Sequence, residues 1–316
     1  QYERAWCLRK LGQTDAALTA YRAMVDGADD QRVNEHALVE VAELSADAKQ
    51  LDQAIVYLKR FRKIASERGQ KIDAGLPERA LYRLAACEYQ LEHWSECAST
   101  SEEFIQANPD SNYVASTSLI AAESLIHLAK PTQALKHLDR LVERFPADPG
   151  YRVGLLRRGE TLATLQRWSD SESAFAAFLH QFSRDEQWFT AQFGVGWARE
   201  NQGRFDEAAL AYRDVVARHQ GPTAARAQFQ IGECLFASKQ YEQAAAELIK
   251  VDILYAYPEW SAAALYEAGR CFQKLTKPEE ARGQFATVVD KFGQTKWAPM
   301  AAKLLAEMSA SARGSQ

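Results

Sequence analysis

The stretch GRFDEAALAYRDVVARH, Gly203 to His219, decides the fold because the chain writes it more than once. It returns as KQYEQAAAELIKVD at Lys239–Asp252 and stands near the start as GQTDAALTAYRAMV at Gly12–Val25. Self-similarity at a fixed period marks a repeat architecture. The small residue of the central "xAx" is the anchor, and it recurs as Ala17, Ala54, Cys97, Ala134, Ser171, Ala208, Ala244 and Ala281. The spacing is 37 residues, broken by a step of 43 between Ala54 and Cys97 and one of 36 between Ala208 and Ala244.

Two amphipathic segments accompany each anchor. Behind it, at the fourth and seventh positions, stand apolar residues such as Tyr21 and Met24, Leu58 and Phe61, Tyr212 and Val215, Phe285 and Val288; Ser101 is the exception. That spacing is one face of a helix, here helix B. Twelve positions before the anchors stand only Ala or Gly: Ala5, Ala42, Ala85, Ala122, Gly159, Gly196, Gly232 and Gly269. Apolar residues often follow three later, as Leu8, Leu125, Leu162, Leu235 and Phe272, which makes a second helix, helix A. Small slots in both helices predict a close A–B contact, Gly196 against Ala208 among them. Gly12 and Gly203 can close helix A with a left-handed cap. Pro131, Pro278, Trp94, Trp168, Phe205 and Tyr241 share the position that opens helix B. Asn108–Ser111 and Phe145–Gly150 are breakers between hairpins.

The expected fold is therefore all-α, an α-α solenoid of about eight helical hairpins, since one hairpin cannot bury its own apolar face. Residues 1–64 hold repeats 1 and 2, 65–78 a longer surface loop, and 79–294 repeats 3 to 8. Residues 295–310, with Ala306 in the small helix-A slot, form a capping helix, and 311–316 a frayed tail. The first helix A starts three residues late, which reads as excision from a longer array.

The small helix-A slot, the aromatic at the A–B turn, the small anchor and the apolar pair behind it resemble the tetratricopeptide repeat family. The period departs from that family's 34 residues, and its early Trp is replaced by Leu38, Leu81, Leu155, Leu265, Ser118 or Gln. The lengthened period, with NPDSNYVAS and YPEWSAAALYEAG, resembles bacterial envelope members such as the Tol–Pal coordinator and the outer-membrane assembly lipoprotein. The resemblance implies a right-handed superhelix with helix A on the concave side. It implies protein binding without chemistry of its own, in the bacterial envelope or cytoplasm.

Composition excludes several classes. Of 316 residues, 38 are Lys or Arg and 42 Asp or Glu, a net charge of −4. No basic stripe marks a nucleic-acid partner, and no apolar run is long enough for a membrane span. The five cysteines (Cys7, Cys87, Cys97, Cys234, Cys271) read as small buried hydrophobes, four of them in one slot; only Cys87 and Cys97 could pair. The six histidines form no metal pattern, the Gly-x-Gly inside Phe193–Trp197 lies within helix A, and no nucleophile or phosphate motif occurs, so neither catalysis nor a cofactor is expected.

Helix A carries a second face. Fifteen positions before the anchors stand Tyr2, Val39, Tyr82, Leu119, Leu156, Phe193, Phe229 and Tyr266, and four positions later Trp6, Glu43, Ala86, Glu123, Glu160, Trp197, Glu233 and Arg270. This slot packs helix A on the next helix A, or it lines a groove with aromatic anchors of the kind enriched at interface hot spots. The groove reading names Arg79, Tyr82, Tyr89, Phe193, Trp197, Phe229, Glu233, Phe236, Tyr266 and Arg270 as partner-binding residues, with Arg226 beside them. An amphipathic or extended protein segment with some positive charge suits that lining. By the resemblance, the Lys and Asn that clamp chaperone tails are replaced here by aromatics and Glu. The competing readings are a self-associating assembly subunit and a helical accessory domain of a larger protein.

Overall fold

The computed structural model describes residues 1–69, 72–73 and 75–314. Among these are seventeen helices and no strand. They run as eight successive pairs. The first four are α1 (Tyr2–Lys10) with α2 (Thr14–Val25), α3 (Glu35–Asp47) with α4 (Leu51–Arg68), α5 (Gly75–Gln90) with α6 (Trp94–Ala107), and α7 (Val114–His127) with α8 (Pro131–Arg144). Then come α9 (Tyr151–Thr164) with α10 (Trp168–Gln181), α11 (Trp188–Asn201) with α12 (Phe205–Arg218), α13 (Pro222–Ala237) with α14 (Tyr241–Leu254), α15 (Pro258–Lys274) with α16 (Pro278–Lys291), and a closing α17 (Trp297–Gly314). The chain divides into two compact units, Gln1–Thr161 and Leu162–Gln316.

Every helix B begins three residues before its anchor, from Thr14 to Pro278. The cause lies in the turn before it. Five positions before each anchor the backbone is left-handed: Gly12 (φ 74), Lys49 (62), Glu92 (58), Ala129 (55), Gln166 (57), Gly203 (75), Lys239 (60) and Thr276 (54). The next N–H then reaches back into the last turn of helix A, as Gln13 to Leu8 at 3.0 Å, Lys130 to Leu125 at 2.8 Å and Lys277 to Phe272 at 2.9 Å. This Schellman closure satisfies carbonyls that the helix end would leave open. Six of the eight turns adopt it without glycine, against the steric preference of L-residues.

The small slots are buried, Ala5, Ala42, Ala85 and Ala122 included, and every anchor is fully buried. Their expected pairing needs correction. A methyl on Gly196 would meet not Ala208 but the Tyr212 ring, at 2.6 Å; on Gly232 it would meet Leu248 Cγ at 2.4 Å, and on Gly269 the Phe285 ring at 2.5 Å. The bulky residue one turn after the anchor lies across the slot, and the anchor approaches helix A beside it. In hairpin 3 the Cys97 thiol donates to the Ala85 carbonyl at 3.4 Å.

Within each unit helix B meets the following helix A, as α2 with α3 or α12 with α13. Successive A helices also meet: α3 with α5 and α5 with α7 in the first unit, α11 with α13, α13 with α15 and α15 with α17 in the second. Successive B helices meet through long side chains, as Arg62 of α4 with Glu103 of α6, and their backbones approach less closely than those of successive A helices, so helix A takes the inner side of the curve in each unit.

The long step between Ala54 and Cys97 is not spent on a loop of residues 65–78. Ala65–Arg68 extend α4, and Gly75–Glu78 open α5; Gln70, Lys71 and Ala74 lie outside the described residues. Two arginines hold the lengthened α4. Arg60 donates to the carbonyls of Val25 (2.6 Å) and Ala28 (2.5 Å), and Arg68 to the Asp30 carbonyl and the Glu35 carboxylate, both at 2.8 Å. Pro77 sits in the first turn of α5, where it costs no hydrogen bond. The cap is longer than 295–310: α17 continues through Gly314, and Ser315 and Gln316 lie outside the described residues.

Candidate functional site

The aromatic slot of helix A is chiefly a spacer between hairpins. Tyr82 stacks on Tyr113 (centroids 4.3 Å apart), Phe229 packs on Trp260 (5.6 Å) and Tyr266 on Trp297 (5.4 Å). Each pair is 31 positions apart, and Leu119 comes near Gly150 at the same separation. Phe193 and Tyr266 are buried, 8 % and 9 % exposed, while Tyr82 and Phe229 are half-buried. Trp197, Glu233, Phe236 and Arg270 remain half-buried on helix A of the second unit, as do Arg79 and Tyr89 in the first. Tyr89 and Phe236 each pack edge-on against the ring that opens helix B, Trp94 at 5.6 Å and Tyr241 at 5.3 Å.

In the first unit arginines neutralise four helix-A carboxylates, Glu40, Glu43, Glu123 and Glu160. Arg9 and Arg79 both bind Glu40 and Glu43; Arg79 Nη2 stands 3.1 Å from Glu40 and 2.9 Å from Glu43. Burial works against the Glu43 charge, but the two guanidiniums prevail and hold its carboxyl below the ordinary range. Arg157 likewise bridges Glu123 at 2.7 Å and Glu160 at 2.8 Å.

The second unit distributes its arginines differently. The Arg226 guanidinium lies over the rings of Phe193 (4.6 Å) and Trp197 (4.7 Å), a cation–π arrangement. Arg270 binds Glu267 at 2.7 Å and lies over Phe236 at 5.2 Å. Glu200 accepts from Tyr212 (2.7 Å) and Gln230 (2.9 Å). Glu233 Oε1 is shielded from solvent and has no hydrogen-bond partner among the described residues. Burial, then the neighbouring Glu267, pushes the Glu233 carboxyl up to about 7. Burial also raises Glu267, against the pull of Arg270.

The structure thus brings Phe193 and Trp197 together beneath Arg226, and Glu233, Phe236 and Arg270 together beside Glu267. Tyr82 is engaged by the ring of Tyr113, which caps the next helix A, and Phe229 and Tyr266 by rings within it. Sequence reasoning missed Glu40, Glu267, Trp260 and Trp297. Contacts such as Arg9–Glu43 and Glu123–Arg157 link residues 34 apart, one period less one helical turn, and scanning at that offset finds Glu233 with Glu267.

All five cysteines are free; four are buried, whereas Cys7 is exposed. Burial pushes the Cys87 thiol up to about 11 and that of Cys271 to about 12, away from reactivity. Among the described residues no cluster of three His, Cys, Asp or Glu could hold a metal ion, and no helix is long and apolar enough to cross a membrane.

Two models described as tetratricopeptide repeat match the chain. One covers residues 156–218 and 193–253, the other 1–26, 79–111, 117–148 and 263–295, which together exceed half the length. A tetratricopeptide repeat protein from Parabacteroides merdae ATCC 43184 is similar in structure, with TM-score 0.51 and 16 % identity over 87 % of this chain and 98 % of its own. YrrB, described as having an unusual peptide-binding site, gives 0.50 and 18 % over 70 % of this chain and 98 % of its own. MamA from Desulfovibrio magneticus RS-1 gives 0.49 and 19 % over 57 % and 96 %. At such identities the likeness shows the fold alone. No curated protein matches the chain.

Proposed function

The chain belongs to the tetratricopeptide repeat family, and from that premise we propose that it is a non-enzymatic scaffold that captures a protein segment along helix A. One observation carries the reading: helix A of the second unit leaves two half-buried clusters, Trp197 beneath Arg226, and Phe236 and Glu233 beside Arg270. Such a lining offers apolar anchors and oriented charge to an incoming chain, the combination that supplies affinity and register at peptide-binding grooves. The ligand kind is a peptide, as described for YrrB.

The test is binding by a Trp197→Ala/Phe236→Ala variant of the full chain, with oligomeric state followed by light scattering. Neither side chain is fully buried, so folding should survive. The reading expects lost partner binding at unchanged mass. Retained binding, with a mass that rises with concentration in both proteins, would instead point to a self-associating assembly subunit.

A further inference from the structure

We propose that Glu233 is the docking point for a cationic side chain, lysine or arginine, on the segment bound by the second unit; the inference rests on the groove reading above. Glu43, Glu123, Glu160 and Glu233 occupy the same helix-A position in four repeats. The first three each have an arginine: Arg9 and Arg79 for Glu43, Arg157 for Glu123 and Glu160. Glu233 has none among the described residues, although two arginines stand on α13 and α15. Arg226 is taken by the Phe193 and Trp197 rings, and Arg270 by Glu267 and the Phe236 ring.

Two carboxylates, Glu233 and Glu267, therefore share one guanidinium in a place mostly removed from water. The charged and polar groups acting on Glu233 are Glu200 from α11 and Glu267 and Arg270 from α15, two acids against one base. Burying an unpaired charge is costly, so without a counter-ion the carboxyl keeps its proton near neutral pH. A ligand cation supplies the missing counter-charge. Phe236, one turn along the same helix face, carries Arg270 over its ring and adds apolar surface against which the aliphatic stem of the ligand residue can lie. An acidic side chain would meet two carboxylates, and a neutral one would leave Glu233 as it is. Ligand binding and proton release from Glu233 are then coupled, so affinity for a cationic segment rises between about pH 6 and about pH 8.

The experiment uses the full chain and an array of short immobilised peptides, each an apolar Leu/Phe frame with a central Lys, Gln or Glu. The best Lys peptide and its norleucine twin are then labelled with fluorescein and titrated by anisotropy. At about pH 8 the Lys peptide should bind about tenfold more tightly than its twin, the scale of one charge-assisted contact. Glu233→Gln, which keeps the shape and removes the charge, should bind both alike, and the gap should narrow at about pH 6. If wild-type protein binds the twins equally and Trp197→Ala abolishes both, the groove reading stands and the docking point falls. If the Lys preference survives in Glu233→Gln, the docking point falls as well. If no peptide of the array binds, both fall together.

Discussion

Two glycines in one hairpin should respond to alanine with opposite signs. Gly269 in α15 faces Phe285: an added methyl would lie 2.5 Å from Cε1, 2.8 Å from Cζ and 2.9 Å from Cδ1. Real contacts of that kind need well over 3 Å, so the ring or the helix must move. The ring has little room, being fully buried with its centroid 5.7 Å from that of Tyr266, which packs in turn on Trp297 at 5.4 Å. Gly283 in α16 has nothing within 4 Å of the same added carbon. Alanine gains about 1 kcal/mol over glycine inside a helix, whereas overpacking a core costs about 1–3 kcal/mol. Gly283→Ala should therefore stabilise by about 1 kcal/mol, and Gly269→Ala should destabilise by up to about 2 kcal/mol after the helical gain is counted. Alanine does occupy this slot at Ala42 and Ala122, but those hairpins close around a methyl from the start. The penalty at Gly269 belongs to a hairpin already closed to ring contact. Urea denaturation followed by far-ultraviolet circular dichroism reads both changes, with an unchanged m-value as the check that the unfolding reaction is the same. A Gly269→Ala protein as stable as Gly283→Ala would refute the account of why the slot holds glycine.

Other outcomes follow from the same contacts. Glu233→Gln should stabilise the free protein at about pH 8 and converge with wild type near pH 4–5. A carboxyl raised to about 7 in the fold costs stability progressively as pH climbs from its unfolded value to that point, by at most about 3–4 kcal/mol; a difference independent of pH contradicts the burial of Glu233. Arg79→Ala should lower the urea midpoint at about pH 7 more than at about pH 3. The depressed Glu43 carboxyl contributes stability above its unfolded value and loses it as pH falls through the folded one; equal losses at both pH values would remove the ion pair from the explanation. Ala129→Gly should stabilise by roughly 0.5 kcal/mol, because relief of a left-handed alanine at φ 55 outweighs the extra freedom of glycine in the unfolded chain. Thermal unfolding of that variant below wild type would show the turn unstrained.

The hairpins were legible because both helices carry their period within one repeat: the small slots, the apolar pair behind the anchor and the opening residue of helix B are all local signals. The left-handed turn at Lys49, Glu92, Ala129, Gln166, Lys239 and Thr276 was hidden, since tertiary closure imposes it on residues with no preference for it. The site was legible only in part, for a different reason. Aligning repeats at 37 shows which residues are equivalent, whereas contacts between repeats run at 34 or 31, because successive A helices are displaced along their axes by one or two turns. Alignment at 37 left open whether Phe193, Phe229 and Tyr266 pack on the next helix A or line a groove, and it passed over Glu267. Glu233 looked like one acid among four. Its distinction comes from residue 267. Arg157 stands 34 residues after Glu123 and pairs with it, whereas the residue 34 after Glu233 is Glu267, a second acid. Arg226 holds the repeat position of Arg79, but where Arg79 meets Glu43, Arg226 meets the ring of Trp197. The charge left over on a repeat-protein face is thus set by what the next helix A presents one short period further on, and the same glutamate is paired or unpaired according to a residue that alignment at 37 never sets beside it.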